Sequence, residues 1–287
     1  MSNRSVRSAV FSRDGKQLLT SGEDKEVQLW DINSNDWTGP AIRFNSAIGA
    51  AAFSPDEKQC LVATDDGAVH ICDLRSGKEV TSFWLLNENK TDSVGYDPTG
   101  DNILAFGKGS FQIIYTGDLR WSVPPLSLPG RIRSAAFSPD GTKIVTAGDD
   151  SAAQLWDRAT LKSIGPPLHH HGPVSGAGFS PDGHLVVTAS LDGTAQIWDP
   201  RTAKTICPPL RHKGAVLKAA FLSDGKTVFT VSDSGIVNFW STKTGQLSDD
   251  MSPFWYRSLT NRQLNSLSLS SDEKTFLTAC SDSSIGV

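Results

Sequence analysis

Cysteine is scarce in this chain. Cys60, Cys72, Cys207 and Cys280 are the whole complement in 287 residues, and no two stand as C-x-x-C. That excludes a disulfide scaffold and fits a reducing, cytoplasmic setting. Long apolar runs are missing too. None approaches the roughly 20 residues of a membrane-spanning helix, so no membrane insertion is expected. The opening MSNRSVRSAVFSRDG has no apolar stretch of the secretory-signal kind. Positive charge is not in excess: 27 Lys and Arg stand against 31 Asp and Glu, a net charge of −4. A general nucleic-acid binder is basic, so no nucleic-acid partner is expected. Catalytic motifs are absent as well, with no G-x-S-x-G, H-E-x-x-H, H-R-D, D-F-G or Gly-rich phosphate loop ahead of a strand lysine. Nearly every Asp has a turn to make instead. The chain is therefore expected to be no enzyme and to need no cofactor.

What is abundant is repetition. An aromatic followed by a polar turn recurs as FSRDG at Phe11, FSPDE at Phe53, YDPTG at Tyr96, FSPDG at Phe137 and Phe179, and FLSDG at Phe221, with a weaker LSSDE at Leu269. The steps are 42, 43, 41, 42, 42 and 48 residues. Nineteen residues after each of the first six anchors stands Trp30, Cys72, Tyr115, Trp156, Trp198 or Trp240. From Leu269 the same count reaches position 288, one past the last residue. Between the markers the chain alternates with period two around a turn, which predicts a β-hairpin. The flanking segments bring each repeat to about four short strands. One such sheet cannot bury both faces alone, and stacking the repeats solves that.

With that spacing, its W-D pairs and its S-P-D-G turns, the chain resembles the WD40 repeat family over essentially its whole length. The resemblance implies an all-β fold, a seven-bladed β-propeller in one domain spanning residues 1–287, and a monomeric binding platform for proteins or peptides. It also implies a hydrogen-bonded network of Trp, Ser/Thr, Asp and His in each good blade. The Asp lies six residues before the Trp, the Ser/Thr ten before it, and the His nine before the aromatic anchor. The fifth repeat has all four, His170, Thr188, Asp192 and Trp198. The first has Thr20, Asp24 and Trp30 without a His; the fourth has Thr146, Asp150 and Trp156 with Leu128 at the His place; the sixth has His212, Thr230 and Trp240 with Ser234 for the Asp. The second keeps Asp66 alone, the third keeps none, and the seventh keeps Thr278 and Asp282. The segments PPLSLPGRIRSAAF, PPLHHHGPVSGAGF and PPLRHKGAVLKAAF resemble bacterial multi-repeat members often joined to a serine/threonine kinase domain. A regulatory region of a larger protein of that type is the alternative expectation.

Other candidates are weighed against plain structural roles. The run His169–His171 suggests a metal, but neighbours in extended chain alternate sides, so no metal site is expected. Cys60 and Cys72 flank the TDDGA turn and are expected to face each other as buried thiols. Arg201, Lys204, Arg211, Lys213 and Lys218 read as a solvated basic rim. One position before the network Asp place stand Glu23, Asp65, Lys108, Asp149, Leu191, Asp233 and Ser281; four of the seven are acidic, so a basic partner segment is expected there. The chain stops before a fourth strand of the seventh repeat, which reads as a fragment with two good strands and an edge strand there. The six extra residues before Leu269 include Phe254, Trp255, Tyr256 and Arg257, a candidate partner anchor or a cover over the sixth and seventh repeats.

Overall fold

A computed structural model describes residues 6–34, 36–85, 91–248, 254–255, 264–270, 273, 275–280 and 285–286. The regular elements among the described residues are all strands, and the sequence period becomes a period of antiparallel sheets, seven of them among those residues. The first sheet runs β1 (Val6–Phe11), β2 (Gln17–Gly22), β3 (Glu26–Asp31), with β4 (Asp36–Trp37) and β5 (Ile42–Arg43) both paired to β3. The second runs β6 (Ile48–Phe53), β7 (Gln59–Thr64), β8 (Ala68–Asp73), β9 (Lys78–Trp84). The third runs β10 (Thr91–Tyr96), β11 (Asn102–Gly107), β12 (Ser110–Tyr115), β13 (Trp121–Ser127), and the fourth β14 (Ile132–Phe137), β15 (Lys143–Gly148), β16 (Ala152–Asp157), β17 (Ser163–His169). The fifth runs β18 (Val174–Phe179), β19 (Val186–Ser190), β20 (Thr194–Asp199), with β21 (Lys204–Thr205) and β22 (Leu210–Arg211) on β20. The sixth runs β23 (Val216–Phe221), β24 (Thr227–Ser232), β25 (Ile236–Ser241), β26 (Phe254–Trp255). The seventh has β27 (Leu264–Leu269), β28 (Phe276–Cys280) and β29 (Ile285–Gly286) among the described residues.

Each anchor thus ends the first strand of its sheet, and each Trp, or its Cys72 or Tyr115 stand-in, lies near the end of the third. The reason for the first marker is the turn that follows it. In Ser12-Arg13-Asp14 the Ser12 hydroxyl donates to Asp14 Oδ1 at 2.7 Å and accepts from Gln17 N–H at 2.9 Å, closing β1 onto β2. Ser54, Ser138 and Ser180 repeat the same bonds. The third repeat swaps the roles: Asp97 stands at the place of these serines and takes the Asn102 amide at 2.7 Å. The Asp after the Trp serves another turn, as where Asp31 Oδ1 accepts Ser34 N–H at 2.8 Å.

The second strands are apolar on both faces. Leu61, Val62, Val186 and Val187 are each 0 % exposed. Stacking of the sheets explains it, and it divides the chain into two compact units. In the unit of residues 1–125 and 261–287, β6 packs on β1 and β2, β10 packs on β6 and β7, and β1 packs on β27 and β28. Leu19, Val27, Ile48 and Val62 form one core between the first and second sheets there. In the unit of residues 126–260, β18 packs on β14 and β15, and β23 on β18 and β19. Val187, Ile197, Val216 and Val228 make its fifth-to-sixth core. Each fully buried Val or Leu contributes about 1.5–3 kcal/mol.

Two features recur at fixed places. Every first strand has a bulge that leaves one residue out of register: Arg7, Gly49, Asp92, Arg133, Ser175, Leu217 and Asn265. The turn between second and third strands holds one residue in the left-handed region, Gly193 at φ 85° in the fifth repeat. Lys25 (66°) and Ser151 (62°) take that place in the first and fourth, where a side chain is strained. Phe254 and Trp255 pair with Val237 and Ile236, so the extra segment before Leu269 contributes the outer strand of the sixth sheet. Tyr256, Arg257 and Asp282 lie outside the described residues, as do the side chains of Phe254, Trp255 and Thr278.

Candidate functional site

The fifth repeat assembles its four network residues. Register places Val186 opposite Trp198 and Thr188 opposite Gln196, which brings the indole back over Thr188. Trp198 Nε1 donates to Thr188 Oγ1 at 2.8 Å, and His170 Nε2 lies 2.7 Å from the same oxygen. His170 Nδ1 lies 3.3 Å from Asp192 Oδ2. A carboxylate only accepts, so Nδ1 carries the proton and Nε2 accepts from the threonine hydroxyl. The order of donation is therefore Trp198 to Thr188 to His170 to Asp192. Burial depresses the pKa of His170, and Asp192 pulls it back in part. The imidazole is neutral, as this order requires. Thr194 Oγ1 adds a 2.6 Å bond to Asp192, a partner the four-residue pattern does not include.

The other repeats hold pieces of this. Trp30 donates to Thr20 at 2.9 Å, Trp156 to Thr146 at 2.8 Å and Trp240 to Thr230 at 2.7 Å. Asp24 and Asp150 each accept one backbone N–H within their own turn, at 3.3 Å. In the sixth sheet the His212 ring lies 5.4 Å from that of Trp240, yet its Nε2 is buried without a hydrogen-bond partner. Ser234 bonds Ser232 at 2.8 Å instead of orienting the ring. The second repeat improvises: Thr64 donates to Asp66 at 2.6 Å, and His70 Nδ1 lies 3.0 Å from Glu79 Oε2.

The acidic candidates are less open than their spacing suggests. Glu23 and Asp65 converge on Arg7, the bulged residue of β1. Its Nη1 donates to both Asp65 oxygens at 2.9 and 2.8 Å, and its Nη2 to Glu23 at 3.2 Å. Asp149 accepts from Arg133, the bulged residue of β14. Asp233 is exposed and lies over Gly214, where an added Cβ would come within 2.1 Å of its Oδ1. The two arginines carry no sequence marker, because the bulge position holds six residue types of different charge and size across the seven sheets.

Of the remaining candidates, Cys60 and Cys72 stand directly opposite each other, both 0 % exposed. A hydrogen bond to Cys72 and burial raise the Cys60 thiol pKa. His169 and His171 are exposed on either side of buried His170, and no group of three metal-ligating side chains occurs among the described residues. Arg201 pairs with Asp199 at the surface. Lys218 departs from the solvated-rim expectation: it lies on β23, the first strand of the sixth sheet, and desolvation lowers its amine to about 8. No helix among the described residues is long and apolar enough to cross a membrane.

The family model described as WD domain, G-beta repeat matches residues 2–31, 123–157, 162–199 and 206–241. Those four stretches are the repeats that carry Trp30, Trp156, Trp198 and Trp240. The second and third repeats, with Cys72 and Tyr115 in that place, fall outside it. No curated protein matches the chain.

Proposed function

We propose, from the premise that this chain carries WD40 repeats, that it is a non-catalytic platform for protein or peptide binding. Repeats of this family typically mediate protein–protein contacts, and the all-β stack of sheets fits a β-propeller. Seven repeats serve as its blades in this reading, supported by the anchor steps of 41 to 43 residues on both sides of residue 125. The binding face collects the loops ahead of the first strands and the turns that hold the network Asp. The observation that carries the reading is the charge on those turns. Glu23, Asp149 and Asp233 are exposed there, and Arg7 and Arg133 rise beside them from the bulges. Asp65 and Glu23 already hold a guanidinium, which is the geometry a basic partner segment would use in exchange.

Neutralising Glu23, Asp65, Asp149 and Asp233 together (Glu→Gln, Asp→Asn) is expected to abolish capture of a basic peptide while the protein stays folded. Capture unaffected by the four changes would sink the proposal. The PPL-containing segments support a second reading, a regulatory region of a kinase-type protein, which the coding sequence on either side would test.

A further inference from the structure

The fourth sheet holds a cavity where the fifth holds a histidine. Leu128 stands at the place of His170, and a space of about 280 Å³ opens beside it, lined among others by Thr146, Asp150, Trp156 and His169. The hairpin register is the same in both sheets: Thr146 faces Gln154 as Thr188 faces Gln196. Thr146 and Asp150 therefore hold the hairpin positions of Thr188 and Asp192, with Leu128 in place of the imidazole that bridges those two.

Three substitutions strip Asp150 of the donors that Asp192 enjoys. Asp192 collects His170 Nδ1 at 3.3 Å, His171 N–H at 2.9 Å, Thr194 N–H at 2.9 Å and Thr194 Oγ1 at 2.6 Å. The matching residues in the fourth repeat are Leu128, Pro129 and Ala152. Leucine and alanine side chains donate nothing, and proline has no N–H. Asp150 keeps the Ala152 N–H at 3.3 Å. Thr146 accepts the Trp156 indole N–H at 2.8 Å, which leaves its hydroxyl hydrogen to donate into the cavity. The lining thus offers an anionic acceptor, a hydroxyl donor and an indole edge, three of the four partners of the His170 ring; Ala152 replaces the fourth, Thr194.

We infer that this cavity binds a neutral imidazole ring, with one ring N–H donating to Asp150 and the other nitrogen accepting from Thr146. Other ligand classes fit worse. Guanidinium and ammonium groups only donate, so they leave the Thr146 hydroxyl unmatched. Phosphates and carboxylates are repelled by Asp150. The space exceeds one ring, so it admits a ring that carries a substituent. That ring belongs either to a free imidazole compound or to a histidine side chain of a partner. Asp150 lies in the same turn as Asp149, but the site uses none of the four acids invoked for partner binding.

The test uses the full chain at about pH 8, where imidazole is neutral. Tens of millimolar imidazole should raise Tm by about 2 °C, as expected for a ligand that binds the folded state alone. It should also shift the Trp156 indole N–H resonance. Leu128→His fills the cavity and should abolish both effects; Asp150→Asn should weaken them without loss of fold. Guanidinium at equal concentration should leave the Trp156 resonance in place. His169→Ala removes the one histidine in the lining and should leave imidazole binding intact. A Gly-His-Gly peptide run beside free imidazole separates the sources. A stronger response to the peptide marks a protein histidine as the occupant, and a response to the free ring alone marks a small molecule. An unmoved Trp156 resonance, or an equal response in Leu128→His, would overturn the inference.

Discussion

Thr188 is a hinge of two hydrogen bonds at a fully buried site: it accepts from Trp198 and donates to His170. Its counterpart Thr146 serves an indole alone. Thr188→Val should therefore cost about 3 kcal/mol in urea unfolding, and Thr146→Val about 1 kcal/mol, since an orphaned buried polar group costs more than a net hydrogen bond is worth. Equal losses would show that the imidazole adds nothing. The same residues set a pH response. Burial lowers the pKa of His170 and of His212. Below about pH 6.5 the unfolded chain takes up protons that the folded histidines refuse. Stability is then full above that pH and falls as the pH drops towards the folded values. A His170→Gln, His212→Gln double variant, though less stable at each pH, should show a shallower decline in Tm between about pH 6.5 and 5. The carboxylates act elsewhere: Asp140, held to about 2 by the Ser138 hydroxyl, loses its contribution only in stronger acid. The four-residue network was legible because each member sits at a fixed offset from a Trp or an aromatic anchor. Thr194 was not, because a hydroxyl two residues past the Asp recurs only as Ser284 and carries no period.

At the level of the sheet, the strand order was readable from alternation and turns, and the outer strand β26 fell where the extra residues had been counted. The bulges were not readable. A bulge is a feature of register, and its residue ranges from Gly49 to Arg133 without a common chemistry. Yet one of them ties two sheets together, because Arg7 on β1 grips Asp65 at the end of β7 with half-buried geometry. A cycle of Arg7→Ala, Asp65→Ala and the double variant should give a coupling of about 1 kcal/mol, at the top of the range for exposed pairs because Nη1 reaches both carboxylate oxygens at a half-buried site. Coupling near zero would reduce Arg7 to surface decoration. The sixth sheet offers the opposite experiment. His212 has a buried Nε2 without a partner, and with Ser234 in the Asp place the nearby carboxylate of Asp233 acts on the ring only through its charge. Ser234→Asp should supply an acceptor at Nδ1, bring Nε2 to Thr230 and raise stability by about 1 kcal/mol. An NMR titration should show His212 titrating at higher pH than in the parent, as a carboxylate partner demands. A stability loss with an unmoved titration would mean that the ring cannot reorient.

At the scale of the whole molecule, the repeat made the order of strands legible, but not the fifth strand of the first and fifth sheets, nor which sheets pack together. The anchor spacing runs unbroken through residue 125, whereas packing gathers the two ends of the chain into one compact unit. The physical cause is at β1. It begins the first sheet, with Ala9 1 % exposed, and it also packs against β27 and β28 from the far end of the sequence. A contact of that sequence separation leaves no mark in local composition. It has a consequence for stability, since a sheet as small as β27, β28 and β29 needs an apolar face to hold together, and β1 packs against it. Removing residues 1–11 takes away β1 and should uncover both neighbours at once. Native-state hydrogen exchange would then show the amides of β27 and β28 losing protection together with those of β2, although they lie more than 240 residues apart in the chain. Backbone bonds within β18, β19 and β20 serve as the internal comparison in the same spectrum. Protection lost in β2 but retained in β27 and β28 would mean that the last sheet is stabilised by its own hairpin, and that the packing of β1 upon it contributes little.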